Sequence, residues 1–269
     1  MIYLKRLIFL LVIVTSCQST GQLKVEADIN FDLKEVSAVE LDLNSDVFWV
    51  IQDAGNSNNL IGLNAKGSIV KTIDVSNGKN KDWEDLTSDE QGNIYIGDFG
   101  NNNEKRKTFR IYKINHADLT KKSAIAEIIE FKLPKGQDSK DFESFFLLNN
   151  FFYIFSKESK QFITLKVPNK IGKHRAFLTS KYHLDGKNNK ITSADISEDG
   201  KTIVLLNHDK LWKLSNFKED DFFSGDITKF KFEHNSQKEG ICFKTEKKVI
   251  ITDERKGTDG GNIYSFELN

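Results

Sequence analysis

The chain has 269 residues, 38% of them hydrophobic, with 39 basic residues against 39 acidic ones and a formal charge of zero. That balance excludes the basic footprint with which a protein grips a nucleic acid polymer, and two cysteines in all exclude a disulfide framework. Only two prolines, with many short β-branched and aromatic runs broken by Asn, Asp, Gly and Lys, point to strands and polar turns.

In chain order, residues 1–16 come first and read as an export signal. Lys5 and Arg6 precede the apolar run Leu7 to Val14, which is too short to span a bilayer. The run ends in Val14-Thr15-Ser16-Cys17, which resembles the bacterial lipoprotein cleavage box. The resemblance implies that Cys17 is lipidated and begins the mature chain, placing it in the bacterial cell envelope on the periplasmic side or surface of the outer membrane. Each buried acyl methylene would add about 0.8 kcal/mol to that anchor, the expected membrane contact; plain secretion with cleavage nearby is the alternative. Removal of residues 1–16 leaves a charge of −2. Cys242 lies in an apolar run and is expected in the core.

From Gln22 onward, one strand-like run (Gln22 to Ile29) precedes a unit that recurs five times. Each unit has a polar marker, a strand, a turn, and a second strand ending in another marker. The pairs are Ser37 with Asp53, Glu84 with Asp98, Glu143 with Lys157, Ser193 with Asn207, and Glu239 with Asp253. Marker-to-marker separation is 16 in the first copy and 14 in the other four. Two more strand-like runs follow in copies one to four, while the fifth has only Asn262 to Leu268 before the chain stops. Four strands per unit, one missing at the end and one spare at the start, predict an all-β fold. It is a five-bladed β-propeller of four-stranded blades, a single domain over residues 17–269, closed by the N-terminal strand completing the last blade.

Antiparallel pairing sets the start of one strand beside the end of the next. Ser37, Glu84, Glu143, Ser193 and Glu239 are therefore expected to ring the central channel, with Asp53, Asp98, Lys157, Asn207 and Asp253 in a wider ring on the same face. Three carboxylates facing one axis need raised pKa values or a counter-cation. Oxygen-only donors without His or Cys favour Ca2+ over zinc, and a water-filled acidic channel is the alternative. Asp195 rivals Ser193 as a ligand because it breaks the apolar pattern of Val39, Leu86, Phe145 and Ile241.

The order of these markers, one per blade, resembles the calcium-activated nucleotidases, or apyrases. The resemblance implies calcium contacts from Ser37 in EVSAV, Glu84 in DWEDL, Glu143 in FESFF, Ser193 in ITSAD and Glu239 in KEGIC. The DWED and GDFGNN segments are also similar to bacterial phytase-like or esterase-like propellers. Where the apyrase pattern has Asp-Asp-Arg, this chain has Gln52-Asp53-Ala54, without the basic partner for a phosphate.

Around such an ion, Asp53 or Asp98 would act as general base, and Arg106, Lys157, Arg255 and Lys256 would bind phosphate or carboxylate oxygens. Trp83 would stack on a base or sugar, or else wedge between blades. Asn101 would contact substrate or shape the loop at Asn101 to Asn103. Of the histidines, only His208 is expected near this face. Two functions follow: a calcium-dependent hydrolase of a phosphoester, nucleotide or related ester, or a non-catalytic propeller that binds a glycan, peptide or envelope protein through a structural Ca2+. A monomer is expected.

Overall fold

The computed structural model describes residues 23–42 and 45–269, so the export signal and Cys17 lie outside the described residues. Five small antiparallel sheets surround one axis as a five-bladed propeller. Their inner strands are Val36–Leu41, Trp83–Ser88, Phe142–Leu148, Ser193–Ile196 and Lys238–Thr245, each packed on the next, with the fifth returning to the first. Lys24–Asp28 pairs with Asn262–Glu267, so the first strand among the described residues is the outer strand of blade 5. One hydrogen-bonded sheet thus joins the two ends of the chain and leaves no blade incomplete.

Two sheets are wider than the expected four strands. Ser123–Ala124 adds to the outer strand of blade 1 and Gly172–Arg175 to that of blade 2, both parallel. In each case a connection belonging to the next blade covers an outer edge that the repeat alone leaves open. Among the described residues, no helix is long and apolar enough to cross a membrane.

Strand alternation explains why the inner runs are apolar on both faces. Trp49 and Ile51 enter the interface between blades 1 and 2, while Phe48 and Val50, one residue out of phase, enter the interface between blades 5 and 1. Five such interfaces form the core. Cys242 is buried in the 5–1 interface with Ile250 and Ile263, as the sequence predicts. Trp83 is fully buried between blades 1 and 2 against Tyr112, 6.0 Å between ring centroids.

Each inner strand leaves one edge of backbone N–H groups facing the axis, and buried donors must find acceptors. Side chains in the lower channel supply them. Asp85, with 0% exposure, accepts from the N–H groups of Leu86 (3.0 Å), Phe145 (3.1 Å) and Ala194 (3.3 Å) and from the Ser193 hydroxyl (2.9 Å). Ser193 in turn accepts from Ile241 N–H at 3.1 Å. Asp195 accepts from Ile196 and Phe243, and Glu40 from Leu41 and the Ser88 hydroxyl. Burial pushes the Asp85 carboxyl up, and its four donors pull it back.

Asp85→Ala strips four buried donors of their acceptor in three blades at once. It is expected to cost about 3–5 kcal/mol, read as a lower urea midpoint, with a smaller loss for Asp85→Asn, which keeps one acceptor oxygen.

Candidate functional site

A β-bulge sets each acidic marker. In four blades the ladder shifts register across the marker, between Val36 and Ala38, Trp83 and Asp85, Phe142 and Ser144, and Lys238 and Gly240. Ser37, Glu84, Glu143 and Glu239 are the extra residues, and a bulge re-aims such a side chain away from the regular pleat. All four are buried at the entrance to the channel.

The tightest cluster there is Asp53, Asp82 and Glu84, each offering one carboxylate oxygen within 4.8 Å of the other two. Gly100 makes room for it: a Cβ at that position would lie 1.8 Å from Glu84 Oε1 and 2.6 Å from Asp82 Cγ. Burial drives the Glu84 carboxyl well above the usual range, and Glu143, Asp53 and Asp82 add repulsion. Asp82 is pushed up to about 7 by burial and by Asp53, to which it is hydrogen-bonded. Glu254 reaches about 7 through burial and the charges of Glu239, Asp53 and Glu35.

A lysine ammonium stands inside this field. Lys157 Nζ lies 2.8 Å from Glu143 Oε2. Burial works against its charge, yet Glu143 and Glu239 hold the ammonium above its ordinary range. Burial also raises Glu143 to about 8, with Lys157 pulling it down. On the other side His208 Nε2 sits 2.9 Å from Glu239 Oε1. Carboxylates outnumber these partners, and among the described residues no backbone N–H donates to Glu84. Asp53 accepts from the N–H of its neighbour Ala54, whereas among the described residues no backbone N–H donates to Asp82, Glu143 or Glu239 either, unlike Asp85 and Asp195 lower in the channel. The oxygen-only donor set of the mouth suits a hard cation such as Ca2+, which completes its shell with water and carbonyl oxygens.

The structure separates the sequence candidates. Ser37 donates to Trp83 O at 2.9 Å, and Ser193 is held by Asp85 and Ile241. Neither hydroxyl joins the carboxylate cluster. Asp195 lies lower in the channel, where burial raises it to about 7 and its charge adds to the burial that raises Glu40. Asp98 is a correction: it is fully buried and ion-paired to Arg106 at 3.1 Å, so it does not face an open site. Arg106 also donates to Asp98 O and Gly100 O, and Arg255 donates to Ile29 O and Gly261 O. Asn101 accepts from the N–H groups of Lys105 and Arg106 and donates to Ser139 and Lys140 O. These three expected ligand contacts hold loops together, and Trp83 is the wedge described above. Lys256 is exposed on the short hairpin of Arg255–Lys256 and Asp259–Gly260.

Register explains the displacement of Asp98. The cross-strand partners of Val36, Trp83, Phe142 and Lys238 are Gln52, Asp98, Ser156 and Asp253. The next residues, Asp53, Phe99, Lys157 and Glu254, are thus the equivalent ones. A constant marker separation concealed turns of different length, and a slip of one residue reverses the face. Asp253, like Asp98, turns inward and accepts from Asn262 N–H and the Tyr264 hydroxyl. In blade 2 Phe99 takes the equivalent position and packs on Phe145, 5.2 Å between centroids. Sequence reasoning missed Asp82 and Glu254. The signal for Asp82 was present as Asp82-Trp83-Glu84, repeated in blade 3 as Asp141-Phe142-Glu143.

No known family model matches the chain, and no curated protein matches it by sequence; membership of the apyrases is not among the findings. Solved structures share the fold. A glutaminyl cyclase from Myxococcus xanthus is 9% identical with a TM-score of 0.58, over 92% of this chain and 97% of that one. A PQQ-bound aldose sugar dehydrogenase from Streptomyces coelicolor is 9% identical with a TM-score of 0.55, over 92% and 98%. A gluconolactonase from Xanthomonas campestris is 8% identical with a TM-score of 0.52, over 92% and 89%. Identities this low establish likeness of fold alone.

Arg106→Gln leaves the buried Asp98 carboxylate without its cation and is expected to lower unfolding free energy by about 2–4 kcal/mol. Lys256→Ala is expected to change it by no more than about 0.5 kcal/mol. Parallel urea titrations check both.

Proposed function

We propose that the channel mouth binds Ca2+ through Asp53, Asp82 and Glu84, with Glu143 and Glu239 closing the acidic ring. On this reading the protein is an envelope-anchored, calcium-dependent hydrolase of a small phosphoester, nucleotide or related ester. The observation that carries the proposal is the convergence of Asp53, Asp82 and Glu84, one carboxylate oxygen of each within 4.8 Å of the others, with neighbouring acids adding to the burial that raises Asp82 and Glu84. The three propeller enzymes described above support catalysis as a use of this fold without selecting a reaction.

When bound, the ion supplies Lewis-acid polarisation and a more acidic water. Asp53 is half-buried at the mouth and hydrogen-bonded to Asp82. Burial raises the Asp53 carboxyl above its ordinary range, which suits it to take a proton from water as a general base. Lys157, held among Glu143, Glu239 and Glu84, supplies the positive charge nearest an anionic substrate oxygen. Arg106 and Arg255 do not share that role, because both are tied to backbone carbonyls. The alternative is a non-catalytic propeller in which the same cation stiffens the mouth for a glycan, peptide or envelope partner.

The closing strand runs from Lys24, at the face opposite the mouth, to Asp28 beside Asn262 on the mouth side. A lipid on Cys17 would therefore direct the mouth away from the membrane.

Protons and calcium compete for the same oxygens. Calorimetry should show Ca2+ binding that releases protons and tightens between about pH 6 and 8, with at least about a tenfold loss for Glu84→Gln. Affinity that ignores pH, or a Glu84→Gln variant that binds equally well, would refute the site.

Stability gives a second check. Asp82, Glu143 and Glu254 have folded-state values of about 7, 8 and 7, above their ordinary ones. The folded chain thus holds more protons than the unfolded one, and their contribution, full below about pH 4, declines as pH rises through about 8. The melting temperature of chelated protein should fall across that range, and added Ca2+ should restore it. Turnover of a panel of nucleotides, aryl phosphates and aryl esters, lost with chelator and in Asp53→Asn, separates the hydrolase from the binding propeller. No turnover in the calcium-loaded protein selects the latter.

A further inference from the structure

On the face opposite the mouth, a groove of about 610 Å3 runs between blades 3 and 4. It lies between the turn joining Phe142–Leu148 to Phe151–Ser156 and the loop that follows Lys210–Ser215. We propose that this groove is a binding site for a neutral saccharide, separate from the channel and independent of its cation.

The floor is aromatic. Phe151, Tyr153 and Phe217 line it; Phe151 and Phe217 are half-buried, and Lys166 Nζ lies 4.5 Å from the Phe151 ring centroid and 5.2 Å from that of Tyr153, which leaves Phe217 as the ring that meets a ligand. Phe217 packs edge-on against Phe222 at 5.3 Å, and buried Phe222 packs on Tyr153 at 4.8 Å and Phe146 at 5.4 Å. The loop is thereby pinned to the core, so its ring is positioned before a ligand arrives. A flat aromatic surface fits the C–H face of a pyranose, and the volume falls in the usual range of about 300–1,000 Å3 for small-ligand sites.

Polar groups surround that floor with charges that nearly cancel. Lys166 is 2.7 Å from Asp220, which also accepts from the Tyr153 hydroxyl at 3.3 Å. Lys201 is 3.3 Å from Asp199. Glu219 alone of the charged lining has no such ion pair, and Asn149 and Asn216 add side-chain amides. A strongly anionic ligand would meet three carboxylates among two paired ammoniums, and a bare metal ion would find two of the three acids already bridged. Sugar hydroxyls, which both donate and accept, match this mixture of carboxylates, amides and ammoniums. Asn149, Asn216 and Glu219 all have positive φ, at 50°, 56° and 52°. For glutamate this is an uncommon conformation, which fixes where its carboxylate leaves the rim.

The test is saturation-transfer NMR and calorimetry with maltotriose, cellotriose and N,N′-diacetylchitobiose in the presence of chelator. At least one is expected to bind with Kd of about 0.1–5 mM. Phe217→Ala should weaken it at least about tenfold, and the exposed Glu219→Gln, which leaves the aromatic packing intact, about threefold or more. Glu84→Gln should bind as the parent does, so loss of the channel site leaves this result untouched. Absence of binding by all three sugars at about 10 mM overturns the proposal, as does binding unchanged in both groove variants.

Discussion

Backbone N–H groups turned toward a buried axis are the constraint on which this structure rests. A propeller blade pairs its inner strand on one side only, so five strand edges converge on a channel too narrow to hydrate every donor. Asp85 answers for blades 2, 3 and 4, Ser193 carries the link to blade 5, and Asp195 and Glu40 do the same lower down. Acids in the lower channel are therefore part of the fold. A purely apolar lining would leave those donors without partners, at a cost comparable to losing several hydrogen bonds.

The mouth inherits its character from the same geometry. Bulges turn Glu84, Glu143 and Glu239 away from the pleat, where few backbone donors await them. Burial and the repulsion of neighbouring acids then raise the Glu84 and Glu143 carboxyls, and Lys157 offsets only part of the charge. On the proposed reading, proton, lysine and metal ion would compete for one set of oxygens. That competition, and not the count of acids, distinguishes the mouth as the chemical end of the channel.

The two ends of the channel also face different surroundings. The closing strand enters from the far face, where the aromatic groove between blades 3 and 4 lies, while the acidic mouth opens on the other side. Phe217, Phe222 and Tyr153 show how an interface core can extend to the surface and become a platform. The scaffold thus separates a charged site at its axis from an aromatic one at its rim.

Blade count, the four antiparallel strands of each blade and the closing strand were legible in the sequence, because hydrophobic alternation and a recurring polar marker are local patterns that survive without coordinates. Glu84, Glu143 and Glu239 were likewise legible as channel residues, and Cys242 as core. The partners of each side chain were not. Equal spacing from marker to marker hid turns of unequal length, so Asp98 fell inside its blade while Asp53, Lys157 and Glu254 took the mouth. Trp83, Asn101, Arg106 and Arg255 look like ligand contacts in one dimension but hold blades and loops in three. Sequence determined the four antiparallel strands of each blade and the order in which the blades circle. Only the tertiary structure decided which polar groups had already found partners, since a hydrogen bond or ion pair between blades depends on register and on residues far apart along the chain.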